Sequence, residues 1–499
     1  MRFSVPKRQK IQEMRKKFEQ QYSLGQVPIA EVKITTKCRD SIVELLAALQ
    51  HLFVTEEFNI QIFNILDSTI LKGKKKTGRK GMDLWQIFVL AQVRLCMNIS
   101  YDRLHYLSNH DRLLRQIMGV DRESGYGQIE FEYQNIYDNV SLLDDETVRQ
   151  LNGVVLSFGH DVFKKKEAEA LRLKTDSFVV ESRVHFPTDY NLLWDCIRKC
   201  IEIIEKFREK YPQLSGWRKI GNWESEIKGL MREFGKTNSS GGVNKEERVK
   251  SSAQKYLHKC KALVRKIGSE KNELPIKDHS DLARVCAIEY YIDLANKHIG
   301  LLERRVMQGE KIPHQEKMFS VFEQYTEWVT KGKLSPNVEL GKKLGITTDQ
   351  YNLIVDYEIM DHKQDRDILI ELADRILHKY SVYSWSFDKG YWNKENKELL
   401  ETEIAHVIMP KLGKRNQAET EQEHAPLYKR LKNKHSAIES NINELEHRGL
   451  GQCPNYGYEH FKSYVGLGVC AYNLKKIGKA ILEERRKQIK AAANYRKAA

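Results

Sequence analysis

The stretch that decides the predicted fold is SVYSWSFDKGYW, residues 381–392. The residues before Asp388 are rich in β-branched and aromatic side chains, which is typical of a buried strand, and Lys389-Gly390 breaks that pattern. Asp388 is therefore predicted to lie where a strand ends and a turn begins. Loops at the carboxyl ends of strands often carry ligand chemistry. The pattern is compatible with an ordinary Asp-Lys-Gly turn and with a catalytic carboxylate.

A second aspartate lies inside a predicted strand far upstream. Residues 171–189, LRLKTDSFVVESRVHFPTD, alternate in polarity or run apolar, which predicts one strand or two, ended by Pro187. Asp176 falls within this strand, where a charged side chain is disfavoured unless a partner such as a cation compensates for it. The alternative is a solvated, outward-facing aspartate. Glu181 and Asp189 lie nearby, so the pattern does not decide which acid faces a cleft.

A third acid lies on a predicted helix near the end of the chain. Residues 435–451, HSAIESNINELEHRGLG, place Ile438, Ile442 and Leu445 at helical spacing, so these side chains are expected to pack inward. Glu439 lies at the edge of this apolar seam, where it can lean over a sheet. The alternative is that Glu439 belongs to a solvated helix face.

If that helix crosses the ends of the strands, Asp176, Asp388 and Glu439 form a group of three carboxylates. Clustered carboxylates repel one another unless a divalent cation neutralises them. Oxygen ligands of this kind suit Mg²⁺ or Mn²⁺. Two such ions, about 4 Å apart, can activate water and stabilise the leaving oxygen of a phosphoryl displacement. The three acids therefore predict a site for two divalent ions.

The remaining patterns predict a mixed α/β chain in five parts. Strands are expected at Val338–Leu344 and Tyr351–Tyr357, separated by a turn at Gly345 to Asp349. A helix is expected at Asp365–Tyr380, and a strand at Ile404–Met409. The predicted parts are a helical N-terminal domain at 1–165, the first part of the core at 166–190, an all-helical insertion at 191–315, the rest of the core at 316–480, and a basic tail at 481–499.

The N-terminal part is predicted to consist of short helices joined by tight turns. Ser41-x-x-Glu44 has the spacing of a capping box, Asp83 and Ser100 can each begin a helix, and Asn109 or Asp111 can begin another. This pattern is compatible with helix-turn-helix binding of DNA, although any small helical bundle produces it.

The composition points to a polyanionic partner. The 499 residues include 83 Lys and Arg against 68 Asp and Glu, a net charge of +15, so double-stranded DNA is the expected partner and a solvated basic surface is the alternative. A basic loop contributes Lys74, Lys75, Lys76, Arg79 and Lys80 as candidate DNA-binding residues.

Other classes of protein are disfavoured. The eight cysteines show no CxxC pair and no zinc-module spacing, and Cys196 and Cys200 lie in an apolar helical stripe that predicts core packing. No apolar run approaches the ~18 residues that span a membrane, and the basic N-terminus lacks the apolar core of a secretory signal. A cytoplasmic, nucleoid-associated protein is expected.

Four stretches in order, TDSFVVESRVHFPTD, SFDKGYW, VIMPKLGKRNQAE and HSAIESNINELEHRGLGQCP, resemble the DDE transposases of bacterial insertion sequences, in particular the ISNCY-type group. GMDLWQIFVLAQVRL and YDRLHYLSNHDRLLRQIMG resemble the helical N-terminal region of that group, and SVFEQYTEWVTKGK resembles the segment that leads back into its core. The resemblance covers most of the chain.

The resemblance implies a ribonuclease H-like catalytic core and a DDE triad of Asp176, Asp388 and Glu439, separated by 212 and 51 positions. It also implies metal-dependent cleavage at the ends of a mobile element, strand transfer into target DNA, and a homodimer or higher synaptic assembly.

One departure from the family pattern concerns phosphate contacts. Relatives often place arginine four residues before the glutamate and lysine seven after it, whereas this chain has His435 and Glu446. The basic residues predicted to contact the DNA backbone instead are Lys389, Lys411, Lys414 and Arg415. Two other functions remain open: a DNA-binding regulator that has lost catalysis, and a ribonuclease H-like nuclease that cleaves without joining strands.

Overall fold

The structure is a computed structural model that describes residues 25–72, 81–122, 129–330, 337–411 and 413–498, with side chains up to residue 495. The chain divides into two compact units, one formed by residues 1–183 and 331–499 and the other by Val184–Thr330. The predicted insertion at 191–315 lies inside the second unit. The predicted boundaries at 165 and 480 fall inside the first.

Seven helices lie before the sheet in the described residues of the first unit. Asp83, Ser100 and Asp111 lie at the N-caps of the third, fourth and fifth, which confirms these predicted starts. The predicted capping box at Ser41 is wrong, because Asp40 is the N-cap and its carboxylate accepts the Ile42 N–H at 3.0 Å. The helices are α1 Ser41–Val54, α2 Glu56–Ile70, α3 Leu84–Cys96, α4 Tyr101–His110, α5 Arg112–Ile117, α6 Tyr133–Val140 and α7 Asp145–Val162.

The second unit contains four long helices around one apolar core. Cys196 and Cys200 are fully buried in that core, which confirms their predicted packing role. Phe234 and Tyr256 stack beside them with ring centroids 6.5 Å apart. The helices are α8 Asp189–Lys210, α9 Ile220–Ser239, α10 Lys245–Glu270 and α11 His279–Leu302, and a short strand follows at Glu327–Thr330.

A mixed sheet forms the centre of the first unit. Its strands are β1 Leu171–Ser182, β2 Val338–Thr348, β3 Ile354–Ile359, β4 Val382–Phe387, β5 His406–Ile408 and β6 Gln452–Cys453. The order across the sheet is β3-β2-β1-β4-β5, and β6 pairs with the far end of β1. The β1–β2 and β2–β3 pairs are antiparallel, whereas β1–β4 and β4–β5 are parallel. The chain is therefore mixed α/β.

Several predicted boundaries in this region are wrong, and the strand expected at Tyr351–Tyr357 is β3, which spans Ile354–Ile359. β2 runs through Gly345 to Thr348, because pairing with β1 places Gly345 opposite Ser177 and continues the strand past the expected turn. The turn comes later, where the carboxylate of Asp349 accepts the N–H groups of Tyr351 and Leu353 at 2.8 and 3.0 Å.

The helix predicted to begin at Asp365 begins only at Leu369. The Asp365 carboxylate is bonded to Ser177, and the Asp367 carboxylate accepts the Gln364 N–H at 2.8 Å, so this segment forms a turn. The remaining helices of the first unit are α12 Leu369–Leu377, α13 Lys394–Glu403, α14 Gln417–His424, α15 Pro426–His435, α16 Ala437–Leu445 and α17 Tyr458–Ala498. Residues 481–498, predicted as a basic tail, continue α17.

The two faces of the sheet are covered by different helices. Leu173, Trp385 and Phe387 lie in an apolar core with buried residues of α12 and α13, such as Leu372 and Leu400. On the opposite face, α15 contacts β4 and β5 while α16 contacts β1. Among the described residues, no helix is long and apolar enough to cross a membrane.

The long helix α17 packs closely against α1. A Cβ atom added at Gly478 would lie 1.7 Å from the backbone carbonyl oxygen of Glu44, which a side chain cannot do without moving one helix. We expect Gly478→Ala to lower the free energy of unfolding by about 1–3 kcal/mol, as overpacked cores do. Calorimetric unfolding of the full chain measures this change.

Gly153 in α7 provides the matched control. It lies in a helix with nothing within 4 Å of an added Cβ, so Gly153→Ala should raise stability by about 0.5–1 kcal/mol through its better helix propensity. Equal stability of the two variants would contradict the close approach of α17 to α1.

Candidate active site where β4 ends beside β1

Strand pairing brings the two aspartates together. In the parallel register of β1 and β4, Lys174 lies opposite Ser386 and Thr175 opposite Phe387. Continuing that register by one residue places Asp176 beside Asp388, the residue that directly follows β4. Two acids separated by 212 positions in sequence therefore become neighbours where β4 ends beside the middle of β1.

Glu439 lies on helix α16, which contacts β1. It lies in the first turn of α16, whose buried residues include Ile438 and Leu445, and its own side chain is exposed. Burial, helped by the charges of Asp388, Asp365 and Glu439, raises the pKa of Asp176 to about 7, although the hydrogen bond from the Ser177 N–H acts in the opposite direction. The structure thus brings the three predicted acids into one electrostatic cluster.

The spacing of the three acids limits how they can hold a cation. Ligand oxygens of Asp176, Asp388 and Glu439 do not all lie within 4.8 Å of one another. Oxygens on one Mg²⁺ at about 2.0–2.1 Å must lie within roughly 4.2 Å of each other, so a single ion would require side-chain rotation. Two ions about 3.5–4 Å apart accommodate a wider group of ligands.

The three carboxylates are available to bind a cation. None of Asp176, Asp388 and Glu439 forms an ion pair with Lys, Arg or His in the part of the chain that the structure describes. Asp176 accepts a hydrogen bond from the Ser177 N–H at 2.7 Å, which supports its ionised form. The donor set is made of carboxylate oxygens, which are the ligands that Mg²⁺ and Mn²⁺ prefer.

Asp365 is a fourth carboxylate near the site, and the sequence analysis did not identify it. Its oxygens accept hydrogen bonds from Ser177 Oγ at 2.7 Å and from Lys343 Nζ at 2.8 Å. Gly390 explains part of the Asp-Lys-Gly motif, because a Cβ there would lie 2.9 Å from Asp365 Oδ2. Lys343 neutralises Asp365, so it supports the site rather than adding an unpaired charge.

His435, four residues before Glu439, lies beside the acids. Its Nδ1 is 3.0 Å from Ser386 Oγ, within hydrogen-bond distance. Burial lowers the pKa of His435, although Asp388 and Glu439 act in the opposite direction. Burial therefore favours the neutral form of this imidazole.

The predicted DNA-binding residues are not equivalent. Lys411 Nζ lies 2.7 Å from a Glu419 carboxylate oxygen, and Arg415 Nε lies 2.7 Å from Glu423, so both cations are already paired. Lys389 and Lys414 are exposed. Lys74, Lys75, Lys76, Arg79 and Lys80 lie outside the described residues.

The chain has no match among family models, curated proteins or solved structures. The mixed α/β fold and the grouping of acids where β4 ends beside β1 are therefore the observations on which a functional assignment depends. Both concern the first unit alone.

The raised pKa of Asp176 has a measurable effect on stability. Above pH 7 the folded protein must carry this charge at a cost. Between pH 7 and 4 the folded state takes up a proton that the unfolded chain does not, so the cost disappears as the pH falls. In EDTA, Asp176→Asn should raise the free energy of unfolding at pH 8, at about 1.4 kcal/mol per unit of pKa shift as an upper limit.

Denaturant titrations at pH 8 and pH 4.5 test this expectation. The gain of Asp176→Asn over the wild type should be largest at pH 8 and small at pH 4.5. Asp293→Asn, an exposed residue of α11, serves as the control and should change stability by less than about 0.5 kcal/mol at both pH values. A gain that does not depend on pH would contradict the electrostatic cluster.

Proposed function

We propose that the protein is a metal-dependent DNA transposase that cleaves a phosphodiester at the ends of its element and joins the freed 3′-hydroxyl to target DNA. Asp176 and Asp388 are the proposed shared ligands of two divalent ions, and Glu439 completes one of the two sites. The protein is proposed to work on double-stranded DNA as a homodimer or a higher synaptic assembly in the bacterial cytoplasm. The observation that carries the proposal is the group of three acids without ion-pair partners among the described residues.

The topology of the sheet supports a ribonuclease H-like core. Such a core combines antiparallel and parallel strands in one sheet and carries its acids on the central strand, after a neighbouring parallel strand and on a later helix. Here β1 is central, β4 is parallel to it, and α16 crosses the same face. Asp176, Asp388 and Glu439 occupy those three places.

The side chains present fit a divalent metal centre. Asp176 is partly buried and destabilised as an anion, which a bound cation would reverse. Bound Mg²⁺ or Mn²⁺ would supply activation of the attacking water or hydroxyl and stabilisation of the leaving oxygen. The protein's own contribution is to hold Asp176 and Asp388 on paired strands and Glu439 on α16. His435 Nδ1 and Ser386 Oγ lie within hydrogen-bond distance of each other beside these acids.

Recognition of the DNA ends is assigned to the helical N-terminal region. α4 presents an exposed Tyr106, and the Arg103 guanidinium lies 4.9 Å from its ring centre. Tyr133 and Tyr137 are also exposed and pack around Tyr101. Exposed arginines and tyrosines can provide phosphate contacts and flat surfaces for DNA.

Asp388→Asn tests the proposed chemistry directly. Purified protein is incubated with Mg²⁺, DNA carrying the element ends and a target plasmid, and both cleaved and joined products are quantified. The variant should lose at least about a hundredfold in cleavage while it still binds end DNA, because it removes a metal ligand and leaves the helical region intact. Glu395→Gln, an exposed residue in the first turn of α13, should retain cleavage within about tenfold.

The products also distinguish the alternatives. Cleavage by the wild type without joined products would identify a nuclease. End binding without cleavage would identify a regulator derived from a transposase. Unchanged cleavage by Asp388→Asn would refute the triad.

Metal binding is measurable without activity. Mn²⁺ should raise the midpoint of thermal unfolding of the wild type, because a ligand that binds only the folded state stabilises it by mass action. Glu439→Gln should reduce this shift, and Asp176→Asn should abolish it. The control is Glu446→Gln, on the turn after α16. If the shift is as large in Asp176→Asn as in the wild type, the ion binds elsewhere.

A further inference from the structure

A second polar site lies beside the three acids, on the same face of the sheet. A cavity of about 420 Å³ is lined by residues of β1, β4, α15 and α16. Its floor consists of alternate residues of the paired strands, with Arg172 opposite Ser384 and Lys174 opposite Ser386. Side chains two residues apart on a strand point to the same face. The floor of the cavity therefore continues into Asp176.

The lining of this cavity is cationic. Arg172, Lys174 and Lys434 line it together with serine hydroxyls and asparagine and glutamine amides, and none of its described lining residues is Asp or Glu. None of these three cations forms an ion pair with a carboxylate in the described ranges of the chain. Three unpaired positive charges around one cavity attract an anion.

Lys174 is the most informative of the three, because it is only 8% exposed. Its Nζ donates a hydrogen bond to Asn352 Oδ1 at 3.2 Å, which is a neutral acceptor and does not cancel the charge. The Lys434 ammonium repels the Lys174 ammonium, whereas the Asp349 carboxylate attracts it. A buried ammonium next to a second cation is costly unless an anion compensates for it.

The position of Lys174 explains why its charge is available. Asn352 holds the ammonium from a backbone conformation with φ of +61°, a left-handed region that asparagine tolerates better than most residues. Asn441 Nδ2 of α16 lies 3.5 Å from the same Asn352 oxygen. The lysine is therefore directed by neutral amides, and its charge faces the cavity.

We infer that this cavity binds a phosphate group carried on a nucleotide of the bound DNA strand, next to the bond that the three acids hold. Guanidinium, ammonium and hydroxyl groups are the donors that phosphate oxygens accept. The volume lies within the range of about 300–1,000 Å³ typical of ligand sites, which is more than a bare phosphate needs. Two strand residues span about 7 Å, so the bound phosphate lies close to Asp176.

The identity of the strand as DNA rests on the proposed function, whereas the anion itself rests only on the cavity. The same chemistry would take free phosphate, so the test must separate the two sources. Neither Arg172 nor Lys434 was among the predicted DNA-binding residues. Both are exposed, so they can be replaced without disturbing the core.

The test is binding of a 5′-phosphorylated thymidine dinucleotide to the full chain, measured by calorimetry in EDTA at fixed ionic strength. Lys434→Gln and Arg172→Gln should each weaken binding about tenfold, equivalent to about 1.4 kcal/mol. Lys432→Gln is the matched control, because Lys432 lies on α15 and is exposed but does not line the cavity. It should weaken binding less than about twofold.

Three results would overturn the inference. The first is no binding to the wild type. The second is equal weakening by Lys432→Gln and Lys434→Gln, which would indicate general attraction to a basic surface. The third is inorganic phosphate binding as tightly as the dinucleotide, which would assign the cavity to free phosphate rather than to a strand.

The same experiment separates this inference from the proposed function. If the wild type binds the dinucleotide with the predicted dependence on Lys434 but cleaves no DNA, the cavity inference stands and the transposase proposal fails. If the wild type cleaves and joins DNA but Lys434→Gln binds the dinucleotide as tightly as the wild type, the transposase proposal stands and the cavity inference fails.

Discussion

The parallel pairing of β1 with β4 is the constraint on which the rest of this site depends. The register of this pair places Lys174 opposite Ser386, and two residues further along it places Asp176 beside Asp388. Strand alternation then sends these polar side chains to one face. With that face formed, α16 needs only to lie across β1 to add Glu439. The backbone hydrogen bonds between β1 and β4 thus bring Asp176 and Asp388 together, and α16 adds Glu439 from a third part of the chain.

Grouping carboxylates on one face of β1 and β4 costs free energy. Buried, hydrogen-bonded side chains on the opposite face of the same strands offset that cost. Trp385 is fully buried, and its Nε1 donates to Thr175 Oγ1 at 2.7 Å, while the Thr175 and Thr347 hydroxyls lie 2.7 Å apart. Buried polar groups that are fully bonded make a sheet rigid instead of weakening it. The carboxylate face is the reverse case, since burial and like charges raise the pKa of Asp176 to about 7. A well-satisfied core on one side allows an electrostatically strained site on the other.

Local patterns predicted the parts of this arrangement that have local causes. The end of β4 at Asp388 follows from an apolar run and a glycine turn, and several helix starts follow from their caps. Gly345 was misread as a turn because pairing with β1 overrides its local tendency. Asp365, Lys174 and Lys434 carry no distinguishing signal, since each lies among other polar residues. Their importance arises only when strand pairing and α15 bring them to the site.

Two side chains of opposite charge, Lys174 and Asp176, lie two residues apart on β1. Lys174 and Asp176 point to the same face about 7 Å apart, a distance at which their attraction is about 2 kcal/mol at an effective dielectric constant of 20. That is too little to compensate for burying both charges, and Asn352 holds the lysine away from a direct pair. Lys174 is therefore available to an anionic ligand, and Asp176 is available to a cationic one. In the proposed function, a phosphodiester strand bound together with divalent cations would meet both needs at once, because its phosphates would satisfy the lysine while the cations would satisfy the aspartate.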